Sequence, residues 1–361
     1  MDSMSCYVGL MSGTSLDGID AVLVDFENAS GRTLKTAYVP YHPEIKQTLL
    51  DLHFSKAGEL EQSLLAANQL ARLYAEAVNQ LLDGTDVTPR AIGCHGQTIR
   101  HRPELGYTLQ LNNPALLAEL TGIDVVADFR NRDIAAGGQG APLVPAFHQA
   151  VFADSDTPRA IINIGGISNI THLSGTNVTG FDCGPGNLLL DAWCERHTGA
   201  PYDKDGAWAR EGEVSNSLLD KLLSNDFLQL APPKSTGRDL FNMAWLEHQI
   251  SATAQAKDVQ ATLVEFAARC ISDAITRHCA DVREIYLCGG GTHNGLLVQR
   301  LTHHLPHISA ASTEKLGIAP DWVEAIAFAW LAKQTMERRP SNIPEVTGAA
   351  GPRILGAVYP A

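Results

Sequence analysis

One supersecondary plan occurs twice in this chain, and it limits the choice of fold more than any other feature. Near the start, two β-prone runs, Cys6 to Met11 and Ile19 to Phe26, flank the open polar stretch "GLMSGTSLDGID", Gly9 to Asp20. A third run, Thr33 to Val39, follows a turn cluster. The period then changes: Glu59 to Leu82 carries apolar residues at helical spacing, from Leu60 and Leu64 through Tyr74 to Leu81. Strands are expected at Ala91 to Cys94 and Tyr107 to Leu111, a helix from about Pro114, and a last strand in "IDVVADF". The middle repeats this order. Arg159 to Leu173 is two β-prone runs about a Gly-Gly loop, Val178 to Asp182 is a further strand, and a helix starts near Asn187. Helical periodicity returns over Val259 to Ala280, followed by strand, Gly loop and helix in "EIYLCGGGTHNGLLVQRL", and the last helix is expected over Trp322 to Gln334. Such a duplication predicts two similar α/β domains. Facing each other, they would leave a cleft, the usual place for a ligand. The expected boundaries are 1–130 with about 340–361 for the first domain and 131–339 for the second.

The 361 residues are 45% hydrophobic, enough apolar material for two cores. A net charge of −13 argues against a nucleic-acid backbone or an anionic membrane as partner. It leaves room for an anionic small ligand, since a Gly-rich loop can bind phosphate inside an acidic protein. Seven cysteines without a CxxC pair read as reduced, mostly buried thiols of a cytoplasmic protein. No basic leader with an apolar core opens the chain, and no apolar run approaches the length of a membrane span.

Three Gly-rich loops each follow an apolar strand. The first fails the GxxxxGK[ST] pattern, because no lysine lies between Gly9 and Asp20. Its backbone N–H groups and hydroxyls can still cradle phosphate. Asp17 and Asp20 would repel phosphate directly, so at least one should hold Mg²⁺ through water or shape the loop. A long surface hairpin is the competing reading. The second loop, "NIGGISN", holds Gly165 and Gly166 in the equivalent hairpin. The third, "CGGGTHNG", offers Gly289, Gly290 and Gly291, but a GxGxxG fingerprint needs glycine where Asn294 stands. Three such loops together point to one nucleotide held between two domains.

The polar residues around them have two readings each. Asp182 ends a strand just before a helix N-terminus, which keeps a carboxylate ionised and suits a base; a cap or turn aspartate is the alternative. Glu324 lies on an otherwise apolar helix face, near its start, solvated, or aimed into a site. "DFRNRD" with Asp128, Arg130, Arg132 and Asp133 offers cations and carboxylates for an anionic sugar, or is a linker. His95 and Gln97 in "GCHGQTIRH" would project near the cleft mouth, or are surface turn polars. "HHLPH" has no zinc spacing, and no GxSxG elbow occurs.

The chain resembles the anhydro-N-acetylmuramic acid kinases nearly end to end. The resemblance is carried by "GLMSGTSLDGID", "GCHGQTIRH", "DFRNRDIAAGGQGAPLVP", "NIGGISNI", "GFDCGPGNLLLDAW", "CGGGTHN" and "GPRILGAVYPA", in that order. It implies an α/β protein of the sugar kinase, Hsp70 and actin superfamily, with two RNase H-like domains about a central ATP cleft. The superfamily's early DxG aspartate has no counterpart here: the matching place reads Gly9-Leu10-Met11-Ser12-Gly13, with no carboxylate before Asp17.

The implied reaction uses ATP and water to convert 1,6-anhydro-N-acetylmuramic acid to N-acetylmuramic acid 6-phosphate and ADP, in peptidoglycan recycling. A glycosidase needs two carboxylates. Here the leaving O6 is captured by the γ-phosphoryl group, so one base suffices, and the resemblance places it at Asp182. The loop Gly13, Thr14, Ser15, Leu16, Asp17, Gly18, Ile19 and Asp20 would hold phosphates, with Mg²⁺ on Asp17 or Asp20 through water. Gly165, Gly166, Gly289 to Gly291 and Asn294 would complete the nucleotide site. His95, Gln97, Arg130, Asp133, Asn187 and Glu324 are the expected sugar contacts. Cleft closure would limit wasteful ATP hydrolysis. The partners expected are ATP and the anhydro-sugar, with no nucleic acid or membrane, and a homodimer as the candidate assembly. The competing functions are an ordinary sugar kinase, a nucleotide-gated binding module and a nucleotide-independent glycosidase.

Overall fold

Strand β1 (Cys6–Met11) is buried at every position and lies inside a six-stranded sheet. It pairs antiparallel with β2 (Gly18–Asp25), which pairs antiparallel with β3 (Arg32–Pro40). On its other side β1 runs parallel to β4 (Ala91–Cys94), and β4 runs parallel to β7 (Val125–Ala127). The C-terminal strand Ala357–Tyr359 closes this edge antiparallel to β7. A separate ribbon of β5 (Gln97–Arg102) and β6 (Tyr107–Leu111) follows β4. The computed structural model describes residues 5–13, 15–28, 31–54 and 56–361.

The second sheet repeats the core of the first. Strands β8 (Arg159–Ile164), β9 (Ile167–Ser174) and β10 (Asn177–Pro185) form an antiparallel meander. Strands β11 (Glu284–Cys288) and β12 (Ser309–Ser312) join it in parallel, giving the order β10-β9-β8-β11-β12. The first sheet reads β3-β2-β1-β4-β7 over the same positions. The duplicated plan is therefore a duplicated topology, three antiparallel strands continued by two parallel ones.

Helices cover the sheets where the apolar period predicts them. Glu59–Leu82 packs on β2 and β3 through Leu70, Tyr74, Val78 and Leu81, spaced three and four residues apart. Its first turns differ from the expected stripe: Leu60 and Leu64 are 74% and 61% exposed, and burial begins at Ser63 and Ala66. Ala256–His278 holds the corresponding place on β9 and β10, with Leu263, Phe266 and Ile271 in the second core. A short helix Pro43–Asp51 was not legible in the sequence pattern.

The chain divides into Met1–Val151 with Trp322–Ala361, and Phe152–Asp321. This corrects the expected boundaries: 131–151 and 322–339 belong to the first unit. The reason is packing. The helix Val323–Met336 lies against β1 and β4 so closely that a Cβ on Gly9 would stand 1.9 Å from the Ala325 carbonyl oxygen, and one on Gly93 would stand 2.0 Å from that of Phe328. Only glycine permits that approach. All seven cysteines are buried free thiols. Among the described residues no helix is long and apolar enough to cross a membrane.

Candidate active site

The β1–β2 loop is held from behind. Ser12, buried, shares a 2.7 Å hydrogen bond with the Tyr74 hydroxyl and donates to the Gly96 carbonyl at 3.1 Å. Gln97 donates through Nε2 to the Gly13 carbonyl at 3.0 Å, and its Oε1 accepts from the Tyr41 hydroxyl at 3.4 Å. The Asp17 carbonyl accepts from Tyr41 N at 2.9 Å and the Tyr38 hydroxyl at 3.0 Å. Leu16 turns the loop with φ 56° while its side chain enters the core. A non-glycine residue held there is strained, and such strain is a feature of loops shaped for a ligand. Gly13 faces open space, the nearest atom to a Cβ being Ser15 Oγ at 3.8 Å. These contacts leave a fixed, open, Gly/Ser-lined bend.

Within the expected phosphate loop, Gly13 to Asp20, any contact at Leu16 and Ile19 is a backbone one. Leu16 and Ile19 point into the core, so neither offers a side chain to a ligand. Gly18 is glycine because Tyr38 and the Val39 carbonyl would lie 2.6–2.8 Å from a Cβ. Thr14 lies outside the described residues. The Mg²⁺ donors fit better. Ser15 Oγ donates to Asp17 Oδ1 at 2.6 Å, and Asp17 is exposed. Asp20 pairs with Tyr38 across β2 and β3, and the Tyr38 hydroxyl donates to the Asp17 carbonyl, so both aspartates flank one ring. Two carboxylates reaching Mg²⁺ through water is that ion's habit. Among the described residues no cluster of three or more His, Cys, Asp or Glu could bind a metal directly.

Beside this loop, His95 and Arg130 interlock. His95 Nδ1 lies 3.2 Å from the Ser12 carbonyl oxygen. Arg130 donates to His95 Nε2 from Nε at 3.1 Å and from Nη2 at 2.9 Å, and to the Gly140 carbonyl from Nη1 at 2.8 Å. Asp128, just upstream at the end of β7, has φ 59° and accepts from Asn131 Nδ2. Asp133 is fully buried and accepts from Gly140 N at 2.8 Å, Asn342 Nδ2 at 2.7 Å and Thr347 Oγ1 at 2.8 Å. It pins the 131–140 segment to the C-terminal chain and is no sugar contact. His95 and Gln97 are likewise buried with their polar atoms engaged, which removes them as direct contacts. Arg130 stays half-buried, and Glu324 stands half-buried in the first turn of Val323–Met336.

In the second unit, Asp182 sits at a bulge. It pairs with Asn169, and the register then shifts before Gly184. A bulge re-aims the side chain it carries. Asp182 N donates to the Lys234 carbonyl at 3.1 Å, and Thr236 N donates to Asp182 Oδ2 at 2.9 Å. Lys234 itself is buried, with Nζ donating to the Phe227 carbonyl at 3.2 Å and 4.7 Å from the Phe227 ring centre. The N-cap of the following helix, Asn187–Thr198, is Gly186, so Asp182 is not a cap. Sequence reasoning missed the Lys234–Thr236 segment. Its signal was "PPKSTG", a polar stretch framed by prolines and a glycine.

The two remaining Gly loops pack on one another. Asn187 N donates to the Gly165 carbonyl and Leu188 N to that of Gly166, so the hairpin seats the helix start. A Cβ on Gly289 would stand 2.4 Å from Asn163 Oδ1, and one on Gly291 would stand 2.2 Å from Ile164 Cγ2. These glycines therefore serve packing. Gly290 is exposed, with Asn187 Nδ2 4.0 Å from its Cβ position. Asn294 caps Gly295–His304 by accepting from Leu297 N at 3.1 Å, which corrects its reading as a nucleotide contact. Gly165, Gly166, Gly290 and Asn187 remain open to a ligand.

The five-strand unit occurs twice, with a Gly loop at the first hairpin of each copy, and the match to a kinase family makes the chain a sugar kinase. The family model for anhydro-N-acetylmuramic acid kinase matches residues 5–361, and the chain belongs to that family. It is 56% identical over 361 residues to the protein of that name from Nitrosomonas europaea, covering 98% of this chain and 99% of the other. It is 55% identical to the same-named protein of Thiobacillus denitrificans, covering 98% and 97%. The Pseudomonas syringae pv. syringae relative is 53% identical, covering 98% and 99%.

Proposed function

We propose that the chain phosphorylates 1,6-anhydro-N-acetylmuramic acid with ATP and opens its anhydro ring by hydrolysis, in cell-wall recycling. Water attacks C1 and gives its proton to Asp182. The C1–O6 bond breaks, O6 takes the γ-phosphoryl group, and the bond from Pγ to the β-phosphate oxygen breaks to release ADP. The products are N-acetylmuramic acid 6-phosphate and ADP. The observation that carries this reading is the end-to-end family match together with a carboxylate oriented at the bulge of β10, Asp182, whose Oδ2 accepts the Thr236 N–H. Phosphoryl capture replaces the general acid, so one carboxylate meets the chemical need.

Other residues bind the nucleotide and the sugar. The bend at Gly13 and Ser15 receives phosphates, with Gly165, Gly166 and Gly290 on the nucleotide in the second unit. Asp17 and Asp20 would hold Mg²⁺ through water, and the ion would supply charge neutralisation for phosphoryl transfer. Arg130 pairs with the lactyl carboxylate, and Asn187 and Glu324 meet sugar hydroxyls.

The test is isotopic. In ¹⁸O-water the immediate product acquires label at C1, read before anomeric exchange. Phosphosugar without label makes the chain an ordinary kinase of a free hydroxyl. ATP turnover without phosphosugar makes it a nucleotide-gated binding module.

A further inference from the structure

The reaction drawn above leaves His95 without a role, yet this side chain is among the most constrained in the first unit. Only 6% of its surface is exposed. The Ser12 carbonyl can only accept, so the proton resides on Nδ1 and the lone pair on Nε2 is bare. Arg130 fills that lone pair with two donors. The Phe328 ring, 4.7 Å away centre to centre, limits rotation of the imidazole. The Gly140 carbonyl that takes Arg130 Nη1 is itself fixed, because Gly140 N donates to Asp133.

We propose that His95 is a positioning residue: as a neutral imidazole protonated on Nδ1, it ties the Arg130 guanidinium to the Ser12 carbonyl at the root of the phosphate loop. The arm for the sugar's carboxylate and the loop for ATP phosphates then keep one register. This rests on the reading of Arg130 as the partner of the lactyl carboxylate. The choice of residue type follows from charge. An aspartate or glutamate behind Arg130 would neutralise the cation before the substrate could. A neutral acceptor orients the guanidinium without adding a counter-charge of its own. Burial, then the Arg130 charge, hold the His95 pKa at about 3, so the ring stays neutral through the working range.

Two substitutions separate positioning from packing. His95→Asn keeps a donor for the Ser12 carbonyl and is too short to reach Arg130. His95→Gln is long enough to place an amide oxygen where Nε2 stood. The Asn variant raises KM for the anhydro-sugar about tenfold and KM for ATP less than about twofold, and the Gln variant restores the sugar KM to within about threefold. An equal rise in both KM values, or no rescue by Gln, overturns the proposal. Arg130→Met is the control. If it leaves the sugar KM unchanged, the carboxylate reading of Arg130 fails, and this proposal with it. If it raises the sugar KM while His95→Asn does not, the positioning role alone is overturned. The tie itself has a readout independent of turnover. Histidine ¹⁵N spectra of the whole protein show a protonated Nδ1 and a bare Nε2 on His95 from about pH 5 to about 8. A doubly protonated or Nε2-protonated ring in that range refutes it.

Discussion

Thr236 donates its backbone N–H to Asp182 Oδ2 at 2.9 Å, while the Lys234 carbonyl accepts the Asp182 N–H at 3.1 Å. These two bonds splice an irregular segment beside β10 at its bulge and fix the carboxylate proposed as the base. Asp182→Asn therefore lowers kcat by more than about tenfold while ATP still binds, as measured by calorimetry. A smaller loss means that less than about 1.4 kcal/mol of barrier was at stake and removes Asp182 as the base. Thr236→Pro deletes the donor, along with the hydroxyl and the freedom of φ, and lowers kcat by about ten- to a hundredfold, the worth of a hydrogen bond to a charged group. Thr236→Ala keeps the N–H and stays within about threefold of the parent. Equal losses in both Thr236 variants would assign the effect to the side chain.

Gly9 in β1 and Gly13 in the loop after it are glycines for different reasons, and stability separates them. Gly9→Ala sets a methyl group 1.9 Å from the Ala325 carbonyl oxygen, and backbone on both sides must shift. Chemical denaturation is expected to show a loss of about 3 kcal/mol or more. Gly13→Ala meets nothing nearer than 3.8 Å, so stability changes by about 0.5 kcal/mol at most while KM for ATP rises about tenfold. A stable Gly9→Ala protein would contradict the close helix-to-strand approach.

Asp133 accepts three hydrogen bonds in full burial. Removing the carboxylate leaves Gly140 N without its acceptor and Asn342 Nδ2 and Thr347 Oγ1 with only long bonds, 3.4 Å to the Gly351 carbonyl and 3.5 Å to that of Ile343, so Asp133→Ala costs about 2 to 4 kcal/mol in urea unfolding. Unchanged stability with a raised sugar KM would return Asp133 to the list of sugar contacts.

Acid sensitivity follows from two buried histidines. Burial and Arg130 lower His95 to about 3, and burial lowers His148 to about 3, from an ordinary 6.5. Both are neutral when folded, and the unfolded chain binds the extra protons below about pH 6.5. Their stability contribution is complete above about pH 6.5 and is lost as pH falls toward about 3, by up to about 1.4 kcal/mol per pH unit for each ring. Denaturation midpoints at about pH 7 and about pH 5 read this directly. A flat profile between them would refute it, and His148→Gln should shallow the slope.

Local pattern made much of the architecture readable before any coordinates. Cys6–Met11, Glu59–Leu82, Ala91–Cys94 and Tyr107–Leu111 stand where the period of apolar residues places them, because that period is a property of neighbouring residues. The alternation of hairpin, Gly loop and helix was likewise enough to show the duplication. The domain boundaries were not readable. Whether Val323–Met336 packs on one sheet or the other depends on Gly9 and Gly93, far away in sequence, whose missing side chains admit its carbonyls.

The polar residues divide along the same line. Gly13, Ser15, Asp17, Arg130 and Asp182 are recognisable in one dimension as groups of the type a sugar kinase needs. Which polar residues are shut inside the protein is a matter of how distant segments pack. His95, Gln97 and Asp133 were indistinguishable from ligand contacts in one dimension. Folded, they meet Ser12, Gly13, Arg130 and Asn342, and those partners use their hydrogen-bonding capacity. A residue type states what a side chain can bond. Burial among distant segments settles what it does bond, because a polar atom shut away from water must find its partner inside the protein.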